Sequence, residues 1–138
     1  MPEQPDAVEH ALRALRFRDR STAELSERLE RRGVEAAERE HALETLERIG
    51  YVDDERFART RAEQLAARGS GDALIRHDLE SRGVAAEHLK AALEALEPEA
   101  VRAERLVEQR GRSVKTARYL ASRGFGADAL EEIVAQED

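Results

Sequence analysis

The chain has 138 residues, enough to bury a core, and a formal net charge of -7 from 30 acids and 23 bases. It contains no cysteine, which excludes a disulfide framework, a thiolate zinc site and a cysteine nucleophile. Charge of this sign repels nucleic acid at long range, so contact with phosphates needs a local basic patch.

Ala, Leu, Glu and Arg dominate while Gly and Pro number 8 and 3, a balance that predicts an all-α protein with charged outer faces. The opening "MPEQPDAVEH" carries neither a basic n-region nor an apolar h-region. No later run approaches the ~18 apolar residues of a membrane span. The expectation is a cytoplasmic chain with no membrane partner.

In chain order, apolar spacing of three and four predicts a first helix over 5–17. Ser21 and Glu24 form an S-x-x-E capping box that opens a second over 22–32, ended by Gly33. A third over 36–49 closes at Gly50. The next stretch, "GYVDDERFA" (50–58), reads as a junction in which Tyr51 and Val52 are a buried pair and Asp53 is an N-cap. Val52 and Phe57 then fall at the two positions of a hydrophobic staple. Asp54 and Glu55 lie in the first turn, where the helix dipole favours acids. Helices over 54–68, 72–82 and 86–96 follow, the second starting at Gly71 and ending at Gly83. The last three are predicted over 99–110, 114–123 and 127–136, with Ser113 as a cap and Gly124 as a stop.

These elements repeat. "LSERLERRGV" (25–34), "IRHDLESRGV" (75–84) and "TARYLASRGF" (116–125) share a leucine, an arginine, a glycine and a following apolar residue. A leucine precedes each glycine at one offset (Leu15, Leu65, Leu106), and an aliphatic residue follows at another (Leu43, Leu93, Val134). The expected architecture is three tandem three-helix repeats, 1–50, 51–97 and 98–138, in an elongated, curved array.

No catalytic constellation emerges. Asp53, Asp54 and Glu55 lack partners for metal binding or acid–base work and suit a helix start better. His10, His41, His77 and His88 lie on separate predicted helices without ligand spacing. Neither a phosphate loop nor a dinucleotide fingerprint occurs. No metal, cofactor or enzymatic role is expected. Arginines are more informative: residues 98–123 hold Arg102, Arg105, Arg110, Arg112, Lys115, Arg118 and Arg123 against Glu99, Glu104 and Glu108. This strip is either a solvated face or a surface for an acidic partner. The scarcity of aromatics offers no exposed platform for stacking single-stranded bases.

"RFRDRSTAELSERLERRGV" (16–34), followed by "GYVDDERFA" and "GDALIRHDLESRGV" (71–84), resembles the bacterial RecX family of RecA regulators over nearly the whole chain. It departs where the family often has Gly-Pro and a basic residue before Ile75, since Asp72 and Leu74 stand there. The resemblance implies a modular protein lying in the groove of the RecA filament on DNA and restraining RecA's ATPase, strand-exchange and coprotease functions. It implies no catalysis of its own. Charge and position single out Arg18, Arg20, Arg112, Lys115 and Arg118 as the residues to meet acidic RecA surfaces. The chain is expected to act as a monomer with at most weak direct DNA contact; the alternative is a helical protein that binds DNA without RecA.

Overall fold

The computed structural model describes residues 7–135. Among them the chain forms nine helices and no strand: α1 (Ala7–Phe17), α2 (Thr22–Arg31), α3 (Ala36–Arg48), α4 (Asp54–Ala67), α5 (Asp72–Ser81), α6 (Ala86–Glu94), α7 (Glu99–Arg110), α8 (Val114–Ser122) and α9 (Ala127–Ala135). Positions 5, 6 and 136 of the predicted first and last helices lie outside the described residues.

Consecutive helices gather in threes, each set around its own core. Leu29, Leu79 and Leu120 occupy equivalent places and are fully buried. Beyond each, the chain ends its helix in the same way. The N–H groups of Val34, Val84 and Phe125 donate to the carbonyls of Leu29, Leu79 and Leu120 at 3.1 Å. Gly33, Gly83 and Gly124 between them hold φ of 83°, 76° and 89°, which completes a Schellman turn that tucks the next apolar residue under the helix. In the following helix Ala42, Ala92 and Ile133, one position before Leu43, Leu93 and Val134, are buried. Val134 is accordingly exposed, contrary to its apolar character.

The predicted helices end one residue late at five glycine turns because Arg32, Ile49, Arg68, Arg82 and Arg123 serve as C-caps. The sixth helix stops at Glu94, short of the expected 96, with Ala95 as its C-cap and Pro98 as the N-cap of α7. Two readings of the 50–58 segment are corrected. Tyr51 is exposed while Val52 is buried, since the turn at Gly50 sends successive side chains opposite ways. Val52 joins the core of α1–α3 and Phe57 that of α4–α6, so the two serve different cores instead of closing a staple.

Polar joints link the three sets. Ser21 is fully buried, accepts the Glu24 N–H at 3.1 Å and donates its hydroxyl to the Arg82 carbonyl at 2.6 Å. Glu24 returns a bond to the Ser21 N–H and takes Arg82 Nη1 at 3.0 Å. Thr22 donates its N–H and hydroxyl to Asp54 at 2.8 and 3.0 Å, while Asp53 caps its own helix through the Arg56 N–H. Asp54 thus ties α4 to α2 in addition to standing in a first turn.

The second joint uses the same places. The Gly71 and Ala73 N–H groups donate to the carbonyls of Arg123 and Gly124 at 2.8 and 3.1 Å. Glu99 accepts from the N–H groups of Asp72 and Gly126 at 2.6 and 2.8 Å, so one carboxylate caps the starts of α5 and α9. Arg102 is buried among the Ser70 and Glu97 carbonyls and the Asp72 carboxylate. Asp72 and Leu74, the departures noted in the sequence, are therefore joint residues: Leu74 lies against Gly124.

The first joint extends into α4–α6 through Asp78, which takes both Nε and Nη2 of Arg61 at 3.0 Å and Nε of Arg82 at 2.9 Å. Hydrogen bonding to Arg61 holds the Asp78 carboxyl below the usual carboxylate range, with Arg82 adding to it. A depressed folded-state pKa means the stabilisation is complete above the unfolded value near ~3.9 and drains away as pH falls through the folded one. Urea midpoints are expected to drop below about pH 4. Asp78→Asn should lose about 2 kcal/mol at neutral pH and show a flatter acid limb. An unchanged acid limb would place the titration elsewhere.

Candidate partner-binding surface

Among the described residues no cluster of His, Asp and Glu could hold a metal, and no helix is long and apolar enough to cross a membrane. Charged surface is the notable feature. Arg18 and Arg20 stand on the short link between α1 and α2, which the Ser21 cap fixes at one end. Arg18 is half exposed, with Nη2 3.6 Å from Glu24. Arg20 donates to the Ala14 carbonyl at 3.3 Å. Its guanidinium pKa is lowered by burial first and then by the charges of Arg18 and Arg28, with Glu24 opposing them, so three guanidinium groups gather near one carboxylate.

Beside them Phe17 is 82% exposed. The buried stripe Ala7–Ala11–Ala14 continues at position 18 by helical spacing, so Phe17 falls off the packed face. That register was the available signal, and the structure overturns the expectation of no exposed aromatic. A large apolar side chain in water beside arginines has the composition of an interface anchor.

The basic strip of the last section is less free than its sequence suggests. Arg102 is 7% exposed and belongs to the joint. Arg105 pairs with Glu97 at 2.7 Å, Arg112 pairs with Glu104, and Arg123 reaches back to the Arg68 carbonyl. Arg110 stacks 3.6 Å above the Tyr119 ring. Lys115 and Arg118 are exposed and make no hydrogen bond or ion pair within the described residues. A groove of about 380 Å³ lined by Arg110, Ser113, Lys115, Thr116 and Tyr119 opens there. Arg18 and Arg20 thus belong to the first set of helices and Lys115 and Arg118 to the third. No hydrogen bond or ion pair connects those two sets among the described residues.

Fold and surface together define a tandem three-helix-unit protein with separate basic faces at its two ends. Family models described as the first and second three-helix domains of RecX match residues 7–46 and 53–93. The chain is 36% identical to a regulatory protein RecX of Syntrophotalea carbinolica, over 99% of each chain. It is 38% identical to one of Thermus thermophilus, over 96% of this chain and 94% of the relative. The crystal structure of RecX from Lactobacillus salivarius superposes with a TM-score of 0.80 at 17% identity, covering 94% of this chain and 93% of the other; that likeness concerns the fold alone. The chain belongs to the RecX family, a family of regulatory proteins.

Proposed function

We propose that this chain regulates RecA by binding along the groove of its filament on DNA, restraining ATP hydrolysis, strand exchange and coprotease action without chemistry of its own. In this reading it is a cytoplasmic monomer built of three units, 1–50, 51–97 and 98–138. Each end contributes a basic face to acidic surfaces of RecA protomers: Arg18 and Arg20 with Phe17 as anchor, and Lys115 with Arg118. The carrying observation is the cluster of Arg18, Arg20 and Arg28 beside an exposed phenylalanine on a chain of charge -7. Local positive charge on a negative molecule suits a protein partner with carboxylates better than it suits bare DNA. Spacing two faces along one array lets a repeating filament engage both at once, which multiplies modest affinities. Arg112 is turned towards Glu104 and contributes less than its charge suggests.

The test is DNA-stimulated ATP hydrolysis by the RecA of the same organism, titrated with this protein, with naked-DNA binding followed in parallel. Substoichiometric inhibition is expected. Arg18→Glu with Arg20→Glu should weaken it at least tenfold, about 1.4 kcal/mol, with helicity retained; Lys115→Glu with Arg118→Glu should weaken it less. Full inhibition by both double variants would remove these faces from the interface. Phe17 also favours a second reading, direct stacking on single-stranded DNA. Steeply salt-dependent DNA binding without RecA, lost in Phe17→Ala, would support that reading over the first.

A further inference from the structure

Both internal joints are built at equivalent places of the repeat, a helix start seated on the next set's glycine turn. Counted back from each turn glycine, residues 21–24 sit on the turn at 82–83, and residues 71–74 sit on the turn at 123–124. A β-carbon on Gly83 would lie 2.4 Å from that of Ala23, and one on Gly71 would lie 2.4 Å from the Gly124 carbonyl carbon. The joint therefore requires small residues on the arriving helix start. In the first joint the charge is also matched, with Glu24 receiving Arg82 at 3.0 Å; the equivalent place in the second is the uncharged Leu74.

The first and third sets each retain one half of such a joint among the described residues. Among the described residues the turn at Arg32 and Gly33 receives nothing: a β-carbon on Gly33 would meet no atom within 4 Å, and the Arg32 side chain is exposed with no hydrogen bond or ion pair. The start of α8 sits on no further turn. An unused socket at one end and an unused plug at the other are the ingredients of a head-to-tail, non-closing contact, which grows into a fibre.

The plug carries the wrong residues. Arg112 stands where Ser21 and Gly71 stand in the working joints, Val114 where Ala23 and Ala73 stand, and Lys115 where Glu24 and Leu74 stand. Arg112 is far larger than the buried serine and the backbone-enclosed glycine that fill this place in the two joints, and it is held aside by Glu104. Lys115, brought against a second copy, would face Arg32 where Glu24 faces Arg82. We propose that residues 112–115 are a stop: they keep this chain from docking onto the Arg32–Gly33 turn of a second copy and polymerising head to tail. Arrays of repeats generally need terminal units with an altered outer face for this reason, and here the alteration is confined to three positions. This inference does not depend on the identity of the regulated partner.

The experiment rebuilds the plug. Arg112→Ser, Val114→Ala and Lys115→Glu together restore small residues and a carboxylate, and mass is followed by sedimentation against concentration. The unaltered chain should stay monomeric, whereas the triple variant should associate without a limiting size. Adding Arg32→Glu to the triple variant should weaken association by roughly tenfold or more. Should the triple variant lose its helical circular dichroism, Lys115→Glu alone is compared with and without Arg32→Glu. A folded triple variant that stays monomeric, self-association of the unaltered chain, or indifference to Arg32→Glu would overturn the proposal.

Discussion

Replacement of Arg102 by alanine is expected to destabilise the protein by about 3 kcal/mol, more than any other single charge removal in the chain. The guanidinium enters the joint between the second and third sets of helices at three points. It serves the Glu97 and Ser70 carbonyls at 3.0 and 3.1 Å and the Asp72 carboxylate, and its far side lies 5.9 Å from the Phe125 ring centroid. Removing it strands two carbonyls, one of them on the buried Ser70, at about 1–3 kcal/mol for each that finds no substitute. Arg102→Lys keeps the charge but not the fork, and should recover only part of the loss. Hydrogen exchange separates a local from a global effect: amides in α7–α9 should lose protection ahead of those in α1–α3. A loss under about 1 kcal/mol would mean that water replaces the guanidinium at those carbonyls.

The second large effect comes from a comparison among glycines. Gly33, Gly83 and Gly124 share one left-handed conformation, so alanine at each carries the same backbone penalty, about 1 kcal/mol. Their surroundings differ. Gly33 has open space, Gly83 faces the Ala23 methyl, and a β-carbon on Gly124 would lie 2.6 Å from the Leu74 backbone nitrogen. Gly33→Ala should therefore cost about 1 kcal/mol and the other two about 2–4 kcal/mol. Gly71→Ala adds a control without backbone strain, because its φ is -83°. Overpacking against Gly124 is its only defect. Urea unfolding of the four variants decides the matter: equal losses at Gly33 and Gly83 would show that the joints yield without resistance.

Much of the fold could be read from the sequence because its signals are local. A glycine turn, the leucine four residues before it and the apolar residue after it form one hydrogen-bonded unit, so three copies of that pattern located three helix ends. Ser21, Glu24 and Asp53 were legible for the same reason, since a cap acts within three residues. Partners far along the chain were not legible. Arg102 is a surface arginine until Asp72 and Ser70, thirty or so residues earlier, fold over it. Tyr51 and Val52 look alike in hydropathy, and only the turn direction at Gly50 separates them. Of the candidate partner-binding residues, Arg112 lost much of its appeal through Glu104, eight residues away. Phe17 gained a role through the helix face it misses.

The three cores hold the leucines, while the joints hold carbonyls, N–H groups and ion pairs. Opening a joint exposes little apolar surface, so it carries a small heat-capacity change, whereas melting a core carries a large one. The two processes consequently answer to different variables. The joints' charge pairs are largely enclosed, Arg82 with Glu24 and Arg102 with Asp72, so salt screens them only weakly, while temperature acts chiefly on the cores. Removing one joint's charge pair by substitution can therefore alter how the units are coupled and leave each unit's core as firmly folded as before.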